Sequence, residues 1–178
     1  WVKDSANKRF IHKKNLYSDK AYYYLTVVGN GKRVGDFPGN FIPNISVNSF
    51  DERLFHELDT INFLGSGKEW YGEEFSNTPG HLLARKFSFN IPNLQISSPV
   101  TVVTDCLARS VSVASRFDVS LNDQPLQQIT IPPVSGGQYD GVAQETKAQA
   151  NATLSQADLS INYSYVPGSF NSQGWLNW

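Results

Sequence analysis

The chain has 178 residues, 15 basic and 16 acidic side chains, and a formal net charge of −1. That length allows one domain with a sizeable core and little more. The charge balance gives no global attraction to nucleic acid, and no run approaches the roughly 18 apolar residues of a membrane-spanning helix.

Charge is uneven at the start, where Lys3, Lys8, Arg9, Lys13, Lys14 and Lys20 outnumber Asp4 and Asp19. Such a basic stretch reads as a solvated terminal arm. Tyr22 to Val28 is aromatic and β-branched and runs into Gly29-Asn30-Gly31, the signature of a strand entering a hairpin turn. Pro and Asn cluster over residues 35–50, which places a boundary there: residues 1–34 as the end of a preceding module or an N-terminal arm, and 35–178 as a sandwich domain, incomplete at its C-terminal end. The chain contains no Met and begins on Trp1, so it reads as a piece of something longer.

Strand-type alternation dominates the remainder. Ala84 to Phe89, Val100 to Val103, Gln127 to Ile131 and Leu159 to Tyr165 all alternate or are β-branched. Ser110 to Leu121 sets Val111, Val113, Phe117, Val119 and Leu121 on one face at period two. Pro79-Gly80, Asn122-Asp123, Pro132-Pro133 and Gly136-Gly137 supply turns between them. Val142 to Ser155 is the one stretch with helix-forming composition, but its apolar residues hold no 3.6-residue stripe. Short strands about every ten residues without βαβ alternation predict an all-β antiparallel sandwich, jelly-roll-like or immunoglobulin-like.

Residues 56–75, HELDTINFLGSGKEWYGEEF, concentrate the features that suggest chemistry. Gly65-Ser66-Gly67-Lys68 resembles a phosphate loop. However, the pattern needs Gly where Asn62 stands and Ser or Thr where Glu69 stands, and a carboxylate there would repel phosphate. Nucleotide binding is therefore not expected, and Gly65 and Gly67 read as turn residues. His56, Glu57 and Asp59 are close in sequence, but on a strand His56 and Glu57 would face opposite sides, and no paired His or Cys spacing marks a zinc site. No metal or cofactor is expected, although calcium in a sandwich loop leaves little sequence signature. Glu73-Glu74 supplies two carboxylates, as glycosidases use, but adjacent acids at a strand edge are expected to be solvated. Cys106 follows a β-branched run and reads as a small buried hydrophobe rather than a nucleophile. Trp70, Tyr71, Trp175 and Trp178 have two readings: packing aromatics of the sandwich, or a sugar-stacking platform with Trp70 and Tyr71 on the ligand face, as in a carbohydrate-binding module of a secreted enzyme.

Three blocks carry a resemblance: Tyr17 to Leu25 with Gly31-Lys32-Arg33; Phe55 to Asp59 followed by Ser66 to Phe75; and Ser172 to Trp178. In this order they resemble the region ahead of the peptidase domain in PorU-type sortases of the type IX secretion system, which are gingipain-like cysteine peptidases. The resemblance implies a non-catalytic β-sandwich module of a large, secreted, outer-membrane-associated protein at the cell surface. It implies that the catalytic His and Cys lie in a later caspase-like domain, so no catalytic residue transfers to this chain and Cys106 does not inherit the role. The partners it implies are other domains of the same protein, an outer-membrane partner protein and secreted cargo.

Overall fold

Between Pro99 and Val166 residues bound for the core recur at alternate positions through five segments, and each becomes a strand with its inward face buried. The computed structural model describes residues 2–4, 9–11, 27, 29–31, 35, 39, 45–63, 65, 69–156 and 158–178. Two units form, Trp1–Arg53 and Leu54–Trp178. In the first, β1 (Val2–Asp4) pairs antiparallel with β2 (Arg9–Ile11). The strand expected over Tyr22 to Val28 lies outside the described residues.

The second unit holds β3 (Glu74–Ser76), β4 (Ala84–Phe89), β5 (Pro99–Arg109), β6 (Ser115–Leu121), β7 (Gln124–Ile131), β8 (Gln144–Thr153), β9 (Leu159–Val166) and β10 (Gln173–Leu176). They form two four-stranded sheets, ordered β3-β10-β5-β8 (sheet I) and β4-β9-β6-β7 (sheet II), with every pairing antiparallel. No helix occurs among the described residues. The pairs β6·β7, β5·β8, β4·β9 and β3·β10 nest one outside another, as if a single long hairpin had been rolled up. That order defines a jelly roll and not the immunoglobulin arrangement. The innermost hairpin turns at Asn122 and Asp123, whose φ values of 49° and 63° are what a two-residue primed turn needs.

The core lies between the sheets. Val102, Cys106 and Ala108 from β5 face Phe117 and Val119 from β6, Ile129 and Ile131 from β7, and Tyr163 and Tyr165 from β9. Phe75 meets Phe117 edge-on at 5.1 Å. The Thr104 and Tyr163 hydroxyls hydrogen-bond at 2.9 Å, satisfying two buried polar groups across the sandwich.

One expectation requires correction. Val111 and Val113 do not share the inward face of Phe117, Val119 and Leu121; they are exposed, because the chain breaks at Ser112 in a left-handed conformation (φ 63°) and β6 starts only at Ser115. Val142 to Ser155, helix-forming in composition but without a helical stripe, contributes a strand: residues 144–153 pair with β5 along its length, and ladder bonds outweigh the composition.

β10 enters the core through Gly174. A Cβ there would sit 2.8 Å from Phe117 Cζ and 2.9 Å from Tyr165 Cδ2, so only glycine lets the strand lie under those rings. Gly174→Ala is expected to cost about 1–3 kcal/mol, the usual range for overpacking a filled core. A lowered urea midpoint at unchanged m-value is the measurement that checks it.

Candidate functional site

Residues 54–63 and 69–72 lie along the outer face of sheet I, where β5 and β10 present large apolar side chains away from the main core. Along β5, Asp105 and Leu107 point to this side; along β10, Trp175 does. Leu107, Trp175 and Tyr71 form a second, smaller core with Ile61, Phe63 and Ala143 packed on it. Phe63 stands edge-on to Trp175 at 4.6 Å and meets Tyr71 at 5.6 Å. Ile61 and Tyr71 bridge antiparallel, each N–H donating to the other's carbonyl (2.9 and 2.8 Å). The Thr60 hydroxyl donates to the carbonyl of Tyr71 or Gly72, both 3.1 Å away, and the Gly72 N–H reaches the Leu176 carbonyl at 2.8 Å. The segment is thus a strap tied to β10. Its bend uses Gly65 at φ 58°, as the turn reading expects, while Gly67 and the other phosphate-loop residues Ser66 and Lys68 lie outside the described residues.

The four singled-out aromatics divide. Tyr71 and Trp175 are 6% and 2% exposed, so neither ring has a face for a ligand. Burial and the nearby Glu145 carboxylate push the Tyr71 phenol well above its ordinary range. Trp70 is half-buried, and Trp178 packs on Phe55 at 5.9 Å with the Lys147 ammonium 3.8 Å above its ring.

The adjacent acids Glu73 and Glu74 are not solvated as expected. The Glu73 side chain is only 9% exposed and meets His56 Nε2 at 2.8 Å, while the His56 ring packs 4.5 Å from Phe87 of sheet II. Glu74 turns the other way: its Oε1 accepts from the Gln173 amide at 2.9 Å and the Ser76 hydroxyl at 3.1 Å, with His81 Nδ1 at 3.5 Å. Neighbouring strand positions project to opposite faces, so the two carboxylates cannot face one substrate. His56 and Glu73 instead close the side of the sandwich between edge strands β3 and β4. Among the described residues, no three His, Cys, Asp or Glu side chains converge as a metal site.

Cys106 is fully buried, its thiol within 3.5 Å of the Thr146 carbonyl, and burial pushes its pKa up to about 12. It therefore stays a thiol at neutral pH and packs as an apolar side chain.

Sequence reasoning passed over Asp105. It is 6% exposed on the outer face of β5, and its backbone anchors the end of the chain: its N–H donates to the Trp178 carbonyl at 2.8 Å, and its carbonyl accepts from the Asn177 and Trp178 N–H groups at 2.9 and 3.3 Å. Burial, then the charge of Glu145 and a hydrogen bond with it, raise the Asp105 carboxyl to about 7; Lys147 and Asn177 oppose the rise. The available signal was a lone acid at an outward position in the otherwise apolar run around Val102 to Leu107.

No family model matches the chain, and no curated protein matches it.

Two measurements check this site. Trp175→Ala is expected to destabilise by about 3–5 kcal/mol, the cost of truncating a buried large aromatic; denaturant melts report it. Asp105 holds its proton more tightly folded than unfolded, so its contribution favours the fold in acid and is lost as pH rises from its ordinary 3.8 to about 7. Across that window Asp105→Asn should gain melting temperature relative to the parent, and the difference between the two should stop growing above pH 7.

Proposed function

We propose that the chain is a non-catalytic β-sandwich module of a type IX secretion sortase of the gingipain-like cysteine peptidase kind. In this reading it serves at the cell surface as scaffold or docking surface for the peptidase domain, an outer-membrane partner or cargo. The observation that carries the reading is where the resembling blocks meet. Phe55, His56 and Tyr71 to Phe75 from the middle block and Ser172 to Trp178 from the last adjoin on one side of the sandwich, through Phe55–Trp178, His56–Glu73, Glu74–Gln173 and the β3·β10 pairing. Residues that pack on one another explain a sequence signature without any chemistry. The Tyr17 to Leu25 block lies outside the described residues.

The non-catalytic part is supported by Cys106, which has neither exposure nor a depressed pKa, and by two glutamates that face apart. The carbohydrate-module reading on Trp70 and Tyr71 is weaker, because Tyr71 is covered by Phe63.

The test has two arms. The purified chain should cleave no fluorogenic or sortase-type peptide, and Cys106→Ser should leave that baseline unchanged; turnover abolished by Cys106→Ser would sink the reading. The coding region downstream of Trp178 should encode a peptidase domain bearing its own His and Cys. Any other domain there contradicts the sortase assignment.

A further inference from the structure

At one end of the jelly roll the β3–β4 turn faces the β9–β10 turn across an open cleft of about 340 Å³, lined by residues 76–79 and 170–173. None of those residues carries a charge. The volume lies at the low end of the roughly 300–1,000 Å³ typical of small-molecule sites. Its lining combines amides and hydroxyls with the Phe170 ring and Pro79.

The polar groups are arranged with part of their bonding capacity facing outward. Asn77 donates Nδ2–H to the Phe170 carbonyl at 3.3 Å, which leaves its Oδ1 as an acceptor. Gln173 spends Nε2–H on Glu74 at 2.9 Å and likewise retains Oε1. The Thr78 hydroxyl and the Asn171 amide make no hydrogen bond among the described residues, so they add donors as well as acceptors. Phe170 is 78% exposed and offers an apolar face beside them.

The walls are held before any ligand arrives. The Ser172 hydroxyl, fully buried, lies 2.8 Å from Ser110 Oγ and 3.0 Å from Ser169 Oγ, and it accepts the Ser169 N–H at 2.9 Å. The Asn77–Phe170 bond ties the two turns together, and His81 N–H closes the first turn on the Thr78 carbonyl at 3.0 Å. Such fixing removes ordering cost from binding.

We propose that this cleft is a binding site for a neutral saccharide, stacked on Phe170 and hydrogen-bonded by Asn77, Thr78, Asn171 and Gln173. A sugar ring needs both parts: donors and acceptors for its hydroxyls, and an apolar surface for its C–H face. Phosphate or another anion would find no Lys or Arg in the lining, and an apolar ligand would strand the amides. The proposal is independent of the sortase reading and of Trp70 and Tyr71.

Saturation-transfer NMR on the whole chain tests it, with the methyl glycosides of glucose, galactose, mannose and N-acetylglucosamine as probes. At least one glycoside should receive saturation through its C–H face. Phe170→Ala should weaken that glycoside roughly tenfold, from the loss of one stacking contact. Phe170→Trp should bind at least as tightly as the parent, and Asn171→Ala should bind less tightly. Both residues are exposed, so melting temperatures should not move, and a shared melt separates lost binding from lost folding. No transfer to any of the four glycosides, or undiminished transfer in Phe170→Ala, would overturn the proposal.

Discussion

A four-residue strand with two buried faces holds this molecule together. β10 runs between β3 and β5, and its inward positions, Gly174 and Leu176, complete the sandwich core beneath Phe117 and Tyr165. Its outward residue, Trp175, would be a large exposed aromatic in an ordinary sandwich. Here it needs a cover, and the strap supplies one with Ile61, Phe63 and Tyr71. The strap, in turn, has few apolar partners except those that β5 and β10 present. Each element covers apolar surface of the other, which makes β10 the shared constraint of both cores.

This arrangement changes the meaning of the residues that first suggest an active site. His56 and Glu73 pair at the side of the sandwich, Tyr71 is buried, and Cys106 is a core thiol. Charge is used structurally even at Asp105, where a buried carboxyl beside Glu145 sits on the strand that hydrogen-bonds Asn177 and Trp178. Its raised pKa makes that corner sensitive to pH near neutrality. The side of the jelly roll where Phe63, Tyr71 and Trp175 meet is therefore devoted to packing. The end bearing Phe170 and Asn171 has the open, uncharged, hydrogen-bonding surface that a ligand could use.

Much of the fold was legible because period-two alternation reports burial directly: Phe117, Val119 and Leu121, or Tyr163 and Tyr165, announce their strands. β8 was less legible, since its inward residues include Ala148 and Ala152, and alanine favours a helix when no ladder partner is in view. The start of β6 was misread because a serine at φ 63° has no sequence marker as strong as Gly or Pro. The site was harder still. Whether Trp175 is a ligand platform or a core residue depends on a strap a hundred positions away in the chain, and Asn77 and Phe170 meet across a separation of 93 residues. Local pattern carries no information about such pairings. The same limit hid Asp105, whose pKa is raised by burial and then by Glu145 on another strand.

If β10 binds strap and sandwich into one unit, native-state hydrogen exchange should show it. The Ile61, Tyr71 and Gly72 amides, which donate to Tyr71, Ile61 and Leu176, should exchange with the same opening free energy as the Phe117 and Val119 amides of β6. Strap amides that exchange through a separate, lower-energy opening, with β6 still protected, would contradict the account and make the strap an accessory laid on an independently stable sandwich.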